Sequence, residues 1–333
     1  MYEGKILFIK DGSPEGSMSA KWLCEWPAAT LSRAGYAVDT MNYQDVPDMS
    51  RAQKRATSGA DIIIYERHID DPWLPFLEWC AREKRLFLTL DDAYWEVDQT
   101  TPTYAFWSKD GRLQKLEVIA SQAEKVIVPS KKLAAHFSNG HFRPNRPDLL
   151  DPAWIVSPLF SDNAILWGGT MGHISGLREH PFIEATAKIC ERGDAKFVGL
   201  SGSSDLTSIL EQIPDAQVLS MQPFHEWLRV LSGSTVVACP LGPGYDESRS
   251  WIKALEASLT GAAWVASDRG VYDDMEGGIL VEDTPDAWEE AMMTLLTDAD
   301  YRDELTEQGK IWAWRQGLQD HLDEWEEIFN VVV

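Results

Sequence analysis

Short apolar runs alternate with amphipathic stretches along most of the chain. The runs are rich in Val, Ile and Leu and are bounded by Gly, Pro, Asp or Ser, which is typical of buried strands. The stretches between them repeat their apolar residues with helical spacing. Strands separated by helices predict a parallel sheet that is covered by helices on both faces, so the fold class is α/β.

The first half of the chain follows this alternation up to residue 130. The predicted strands cover residues 5–11, 37–43, 61–66, 86–92 and 125–130. The predicted helices cover residues 19–35, a polar segment near 51, 74–83 and 113–122, with an aromatic loop before the last of them. The pattern loosens over residues 139–162, which carry several prolines. We interpret that stretch as the connection between two domains.

The alternation restarts after residue 162. The predicted strands cover residues 163–169, 195–202, 216–221, 235–241, 262–267 and 277–283, with two helices at the end. The chain therefore reads as two Rossmann-like domains that face a central cleft. We place the first domain at residues 1–160 and the second at 161–315, and we expect residues 316–333 to form a helix that packs back on the first domain.

The most informative stretch is residues 235–270. A strand ends in a turn that contains Gly242, Pro243 and Gly244, and a predicted helix over residues 248–259 follows. A helix start after a strand offers free N–H groups to anions. Helical spacing places Arg249, Lys253 and Glu256 on one face. Two cations there suit a diphosphate, and the carboxylate suits the hydroxyls of a ribose.

Glycine turns follow the first strand of each half. Gly12 and Ser13 follow the first strand, and Gly168 and Gly169 precede His173 in the second half. Small residues allow a ligand to approach the backbone, and the second turn could hold a diphosphate with N–H groups and one imidazole. Ordinary strand–helix turns are the alternative at both places. Neither turn matches the GxGxxG or GxxxxGK[ST] pattern.

Polar residues also end two strands of the first half. Asp91 and Asp92 close one strand, and Arg67 and His68 follow another. The carboxylates could bind a metal, act as a base or hold sugar hydroxyls, or they could be caps of the following turn. Adjacent strand residues point to opposite faces, so one of the two is expected to reach the cleft. No Ser/His/Asp set, HExxH motif or histidine cluster indicates another chemistry.

Charge argues against a nucleic-acid partner when taken as a whole. The formal charge is −23, from 30 Lys and Arg against 53 Asp and Glu. Residues 282–333 hold much of that excess. Residues 112–146, in contrast, form a basic band with the members Arg112, Lys115, Lys125, Lys131, Lys132, Arg143 and Arg146. The band is either a solvated face or a docking surface for an anionic acceptor.

The chain has no signal-peptide pattern and no apolar run long enough to cross a membrane. We therefore expect a soluble, cytoplasmic protein that contacts no membrane, located in the host cytoplasm if it is viral. The four cysteines are far apart and lack metal-ligand spacing, which disfavours disulfides and structural zinc.

The segment PLGPGYDESRSWIKALEASLTGAAWVASDRG (residues 240–270) resembles GT-B glycosyltransferases of family 4, and is most similar to the short versions carried by tailed phages. The likeness is strongest over residues 165–313, and ERH, LDDAYW and KVIVPS extend it faintly into the first half. It implies metal-independent transfer of a sugar from a nucleotide-diphosphate donor with retention of configuration. The second domain would hold the donor and the first the acceptor, and the leaving phosphate would take the acceptor proton.

The resemblance assigns roles to individual residues. Glu256 is similar to the ribose-binding glutamate, and Arg249 and Lys253 to diphosphate contacts. In that frame the catalytic residues are Asp92, Arg249 and Lys253, and Glu256 binds the donor with Gly168, Gly169, His173, Tyr245, Ser248 and Ser250. The acceptor-side residues are Gly12, Ser13, Arg67, His68 and Asp91.

Two departures from the family pattern stand out. Glu247 and Glu256 are nine residues apart instead of eight, and Ser248 stands at the eight-apart position. The basic pair that usually follows the second glycine turn is absent, which adds weight to Arg249 and Lys253. The role of Glu247 is therefore open.

The expected reaction is transfer of a hexose from a UDP-glucose-like donor, with no cofactor besides this co-substrate and no metal. The phage likeness and the basic band favour a hydroxymethylated pyrimidine in DNA as the acceptor. A glycan, lipid or protein acceptor is the alternative within the class. A module that binds a nucleotide sugar without turnover is the alternative outside it. An NAD-dependent dehydrogenase is disfavoured by the missing GxGxxG pattern, and the oligomeric state is open.

Overall fold

The computed structural model describes residues 4–12, 18–43, 49–69, 71–160 and 163–330. These residues form two parallel sheets of six strands each, with helices packed on both faces. The strand order is β2-β1-β3-β4-β5-β6 in the first sheet and β12-β11-β10-β7-β8-β9 in the second. The predicted architecture of two Rossmann-like domains is confirmed.

The first sheet and its helices come from the first 142 residues. The strands are β1 (Lys5–Lys10), β2 (Ala37–Asn42), β3 (Ala60–Glu66), β4 (Arg85–Thr89), β5 (Lys125–Val128) and β6 (Gly140–Phe142). The helices are α1 (Met18–Ala20), α2 (Trp26–Arg33), α3 (Met49–Thr57), α4 (Leu74–Glu83), α5 (Pro102–Ser108), α6 (Arg112–Gln122) and α7 (Lys131–His136), with a π-helical turn at Lys21–Glu25.

The second sheet starts at Ala164. Its strands are β7 (Ala164–Gly169), β8 (Lys196–Ser201), β9 (Gln217–Ser220), β10 (Val236–Cys239), β11 (Ala263–Ser267) and β12 (Gly278–Val281). The helices are α8 (Ile174–Arg178), α9 (Pro181–Glu191), α10 (Ser204–Leu210), α11 (Phe224–Ser232), α12 (Ile252–Thr260), α13 (Pro285–Thr297), α14 (Ala299–Trp314) and α15 (Leu322–Ile328).

Strand side chains divide between the two helical layers, as the two-residue strand period requires. In β1, Ile6 and Phe8 enter one core cluster while Leu7 and Ile9 enter the other. Both faces of the central strands β1, β3, β7 and β10 are therefore buried, which explains why these strands read as continuous apolar runs.

The direction of winding reverses once in each sheet. β1 lies between β2 and β3, and β7 lies between β8 and β10. Parallel sheets leave a crevice at such a switch point, outside the carboxyl ends of the strands. The fold therefore offers one crevice beyond β1 and β3 and another beyond β7 and β10.

The C-terminal helix α15 packs on the first domain. Trp325, Ile328 and Phe329 join the buried cluster of Ile6 and Phe8. The Trp325 ring lies edge-on to Phe8, with ring centroids 5.9 Å apart. The helix thus completes one face of the first sheet, although its sequence follows the second sheet.

Three differences between the structure and the sequence prediction concern α5, β6 and α12. The aromatic loop contains α5, which Thr101 caps by accepting a hydrogen bond from the Tyr104 N–H. β6 lies inside the predicted domain connection and is too short to show a strand pattern. The helix predicted over residues 248–259 begins at Ile252, because Gly244–Ser248 form a 3₁₀ turn and Arg249 is extended.

The basic band is not a surface of unpaired cations. All seven members have partners. Arg143 and Arg146 are buried against Glu324 of α15, and Lys132 contacts Glu247 of the second domain. The others pair as follows: Arg112 with the Phe106 carbonyl, Lys115 with Asp71, Lys125 with the Glu327 carbonyl and Lys131 with Asp274. Five of the seven cations thus pair with carboxylates, while Arg112 and Lys125 contact carbonyl oxygens.

Two expectations about the whole chain can be set beside the structure. None of the helices in the described ranges has the length and apolar character that crossing a bilayer requires. All four cysteines are free thiols.

Candidate functional site

A cavity of about 470 Å³ lies between the two domains, at the carboxyl ends of both sheets. Twelve of the residues singled out from the sequence line it. They are Arg67, His68, Asp91, Asp92, Gly168, Gly169, His173, Tyr245, Arg249, Ser250, Lys253 and Glu256. The crevice beyond β7 and β10 therefore opens toward the first domain.

Arg249 is the central cation of this cavity. Its Nη2 lies 3.3 Å from Asp92 of the first domain, and its Nε lies 3.7 Å from Asp246 Oδ1. Nη2 also lies 3.4 Å from the Tyr245 hydroxyl, and Nη1 contacts His173 Nε2. The pKa of Arg249 is raised although burial opposes its charge, because carboxylates surround it. Arg249 is thus held in place from both domains.

Lys253 lies in the first turn of α12, beside the same imidazole. Its Nζ is 3.4 Å from His173 Nε2 and 4.7 Å from the centre of the Trp167 ring. Burial and the neighbouring charge of Arg249 lower the pKa of Lys253 to about 8. Lys253 and Arg249 thus both contact the same imidazole.

His173 is held neutral between these cations and a carboxylate. Burial, Arg249 and Lys253 lower the pKa of His173 to about 3. Its Nδ1 is 3.4 Å from Asp246 Oδ1, which fits an Nδ1–H tautomer whose Nε2 accepts from the cations. Asp246 also accepts the Gly242 N–H at 3.1 Å. Asp246 could not be identified as a site residue from the sequence, because a single Asp after a glycine turn carries no distinguishing pattern.

Glu256 is a buried carboxylate with one free oxygen. Its exposed fraction is 2%, and Oε2 accepts the indole N–H of Trp227 at 2.8 Å. Oε1 has no hydrogen-bond partner. Burial raises the pKa of Glu256 to about 7. A ligand hydroxyl placed beside Oε1 would satisfy this oxygen.

The second glycine turn is required by packing. A Cβ at Gly168 would lie 2.9 Å from the Trp227 ring, and one at Gly169 would lie 2.6 Å from the His173 ring. The two glycines therefore let these side chains approach the end of β7. They shape the cavity by admitting Trp227 and His173.

A second polar cluster lies on the side of the first domain. Asp91 contacts Arg67, Ser19 and Tyr94, and the Arg67 guanidinium donates to the Tyr94 hydroxyl at 2.9 Å. Although burial opposes its charge, Arg67 and these hydrogen bonds lower the pKa of Asp91 to about 2. Burial and the adjacent Asp91 charge raise the pKa of Asp92, against the effect of Arg249. Both carboxylates line the cavity, against the expectation that one of them would reach the cleft, because β4 ends at Thr89 and strand alternation does not apply to them. They contact different cations, Arg67 and Arg249.

Aromatic side chains form a wall of the cavity on this side. Tyr94 stacks on Trp107, with ring centroids 3.9 Å apart and an interplanar angle of 21°. Phe106 and Thr103 of the same helix, α5, also line the cavity. From the sequence, these aromatic residues were predicted only to form a loop.

Four other residues from the sequence analysis have different surroundings. Gly12 and Ser248 do not line the cavity, and Ser248 accepts a hydrogen bond through its carbonyl from Ser130 at 2.7 Å. Ser13 lies outside the described residues. Glu247 points away from the cavity and pairs with Lys132 at 2.9 Å and Arg269 at 3.0 Å. Glu247 therefore links the domains.

His68 lines the cavity and packs against Tyr43, with ring centroids 4.1 Å apart and an interplanar angle of 34°. Its Nε2 is 3.7 Å from Asp11 Oδ2. Across the described ranges, no cluster of three or more His, Cys, Asp or Glu side chains is placed to hold a metal ion.

Comparisons with known proteins show the fold. No protein-family model matches the chain, and a search of curated proteins finds no match. Solved structures match over nearly the full length. Sucrose-phosphate synthase from Thermosynechococcus elongatus has 16% identity and a TM-score of 0.70, with 98% of each chain covered. HepE from Anabaena, in complex with UDP-glucose, has 14% identity and a TM-score of 0.67, covering 99% of this chain and 100% of its own.

A third similar structure is an alpha-glucosyltransferase in complex with UDP-glucose and DNA containing an abasic site. It has 13% identity and a TM-score of 0.67, with 99% of each chain covered. A further structure described as alpha-glucosyltransferase contains UDP and a 13-mer DNA with a HMU base. The two-domain fold of this protein is thus the one that these glycosyltransferases share.

Proposed function

We propose that the protein transfers a hexose from a nucleotide-diphosphate donor such as UDP-glucose to an acceptor hydroxyl. The observation that carries the proposal is the placement of Arg249 and Lys253 beside the buried carboxylate of Glu256 in one interdomain cavity. Similar folds with UDP-glucose bound support the choice of donor.

The cavity offers complementary groups for each part of such a donor. The cations Arg249 and Lys253 match the negative charge of a diphosphate. The free oxygen of Glu256 can accept hydrogen bonds from ribose hydroxyls. Because His173 is neutral, it adds no charge of its own beside the two cations.

The resemblance to GT-B glycosyltransferases implies the course of the reaction. The acceptor oxygen forms a bond to the anomeric carbon of the hexose while the bond from that carbon to the phosphate oxygen breaks. The acceptor proton passes to the leaving diphosphate, with overall retention of configuration. Charge develops on that diphosphate in the transition state, and Arg249 and Lys253 are positioned to stabilise it. Asp92 contributes by holding Arg249 from the acceptor side.

For the acceptor, we propose a hydroxymethylated pyrimidine in DNA, as the resemblance to phage glycosyltransferases implied. A flat base can stack on the aromatic wall of Tyr94, Phe106 and Trp107. The similar alpha-glucosyltransferase solved with a HMU base supports this choice. The basic band does not, because its members are paired.

A direct test compares two acceptors. Release of UDP from UDP-glucose is measured with duplex DNA that contains 5-hydroxymethylpyrimidines and with the same duplex lacking them. We expect release above background with the hydroxymethylated duplex alone. Equal background release of UDP with both duplexes would contradict the proposed DNA acceptor. Failure to bind any nucleoside diphosphate would contradict the proposed class of donor.

An uncharged sugar is the second candidate for the acceptor. The charge of −23 and the pairing of the seven basic residues disfavour a polyanion. UDP release that is stimulated by a free sugar or glycan, and is insensitive to added DNA, would favour this alternative.

The depressed pKa of Lys253 predicts pH-dependent donor binding. A bound diphosphate favours the charged form of Lys253, whose pKa is about 8 in the empty cavity. Affinity is therefore full below pH 8 and declines as the pH rises through this value. Between pH 7 and 9 the Kd for UDP should rise by about tenfold in calorimetric titrations.

Lys253→Arg is the matched control for this prediction. An Arg stays charged over this range, so the Kd of the variant should be nearly constant from pH 7 to 9. His173 cannot produce the effect, because its pKa of about 3 keeps it neutral throughout. A Kd of the wild-type protein that does not change over these pH values would contradict the prediction.

A further inference from the structure

The π-helical turn at Lys21–Glu25 brings a first-domain indole into the cavity. The turn interrupts the helical segment between α1 and α2. Such turns are rare within helices and occur frequently at functional sites. Trp22 lies in this turn, lines the cavity and has an exposed fraction of 1%. It packs with Leu255 of α12, the residue next to Glu256.

Trp22 and Glu256 face each other with unmatched polar atoms. Trp22 Nε1 is buried without a hydrogen-bond partner, and so is Glu256 Oε1. The indole N–H acts on this carboxylate as a hydrogen-bond donor that lowers its pKa, against the larger effect of burial. The two atoms nevertheless lie outside the distance and angle limits of a well-formed hydrogen bond. The indole N–H and the carboxylate thus lie beside each other in the cavity with their contact incompletely formed.

The neighbouring polar atoms have hydrogen-bond partners. Trp227 satisfies Glu256 Oε2, and Trp26, the neighbour that packs edge-on against Trp22, donates its own indole N–H to Asp151 at 2.6 Å. Buried donors and acceptors in folded proteins usually have well-formed hydrogen bonds, so this incomplete contact leaves a place for a ligand atom. A hydroxyl both accepts and donates, so one hydroxyl or an adjacent pair can satisfy both groups.

We propose that Trp22 is a specificity-determining residue that binds a ribose hydroxyl of the nucleotide together with Glu256. The inference rests on the proposed function, since it assumes a nucleotide donor in this cavity. It extends donor recognition to the first domain, because the hydroxyl is held between an indole of one domain and a carboxylate of the other. A 2′-deoxy or 3′-deoxy nucleotide leaves at least one of the two groups unsatisfied.

The test is a cycle of Kd values measured by calorimetry. Wild-type protein and Trp22→Phe are each titrated with UDP, 2′-deoxy-UDP and 3′-deoxy-UDP. Phe keeps an aromatic ring and removes the N–H. Wild-type protein should bind UDP at least about tenfold more tightly than one of the deoxy forms. In Trp22→Phe, UDP should bind about tenfold more weakly, with little change for that deoxy form.

Trp26→Phe is the matched control, because it removes an indole N–H that is bonded outside the cavity. It should leave the ratio of the UDP and deoxy-UDP affinities unchanged. If Trp22→Phe weakens UDP and both deoxy forms equally, Trp22 is only structural and the inference is wrong. If Trp22→Phe does not fold, equal wild-type affinities for all three ligands still overturn it.

The outcomes separate the inference from the function on which it rests. If wild-type protein binds UDP and both deoxy forms equally well, the role of Trp22 is contradicted but the class of donor is not. If wild-type protein binds none of UDP, GDP and ADP, both proposals are contradicted.

Discussion

Replacement of Arg249 by Ala is expected to lower the rate of hexosyl transfer by about a thousandfold. The guanidinium is the cation that Asp92, Tyr245 and His173 hold at the centre of the cavity. Its loss removes a fixed positive charge from the place where the leaving diphosphate gains negative charge. The measurement is the rate of UDP release at saturating UDP-glucose, with the melting temperature taken in parallel.

Arg269→Ala is the matched control for Arg249→Ala. Arg269 also pairs with two carboxylates, Glu247 at 3.0 Å and Asp283 at 2.8 Å, but it does not line the interdomain cavity of about 470 Å³. We expect its replacement to change the rate by less than about threefold, in line with a partly exposed ion pair. An Arg249→Ala variant that folds and retains more than a tenth of the wild-type rate would contradict the assignment of this residue.

Replacement of Trp325 by Ala is expected to destabilise the first domain by about 3–5 kcal/mol. The indole is 1% exposed, contacts Phe8 and Phe329, and lies under the Arg143 guanidinium at 4.2 Å. Its removal leaves a cavity in the core and a buried cation with one fewer neighbour. The measurement is the free energy of unfolding from urea denaturation. If the two domains unfold in separate steps, the transition of the first domain is analysed by itself.

Trp314→Ala is the control for Trp325→Ala. Trp314 ends α14 and is 51% exposed, so its replacement should change the free energy of unfolding by less than about 1 kcal/mol. Equal destabilisation by the two replacements would show that the C-terminal helix is not part of the core of the first domain.

Much of the fold is readable from local patterns. Strands buried on both faces appear as apolar runs, and the helices between them keep an apolar stripe. The site residues that could be identified in advance lie where such runs end, as Arg249 and Lys253 do after β10 and Asp91 and Asp92 do after β4. Parallel sheets bring strand ends to one edge, so this information is contained in the order of elements.

Short elements and capped turns give weaker sequence signals than long strands and helices. β6 has three residues, too few for a two-residue period to be seen. The helix α5 begins at Thr101-Pro102, a cap signal that the surrounding aromatics obscured. Arg249 precedes α12 in an extended conformation, because the 3₁₀ turn at Gly244–Ser248 uses the residues that helical spacing would assign to α12.

By itself, the sequence determined the α/β class, the two sheets and the approximate position of Arg249 and Lys253, because these depend on residues close together in the chain. The tertiary structure alone decided which charges are paired: Asp92 reaches Arg249, Asp246 reaches His173, and Lys132 of the basic band reaches Glu247. The same holds for Trp22 beside Glu256. Such pairs join residues far apart in sequence, so their distances depend on how the two domains pack, which no local periodicity encodes.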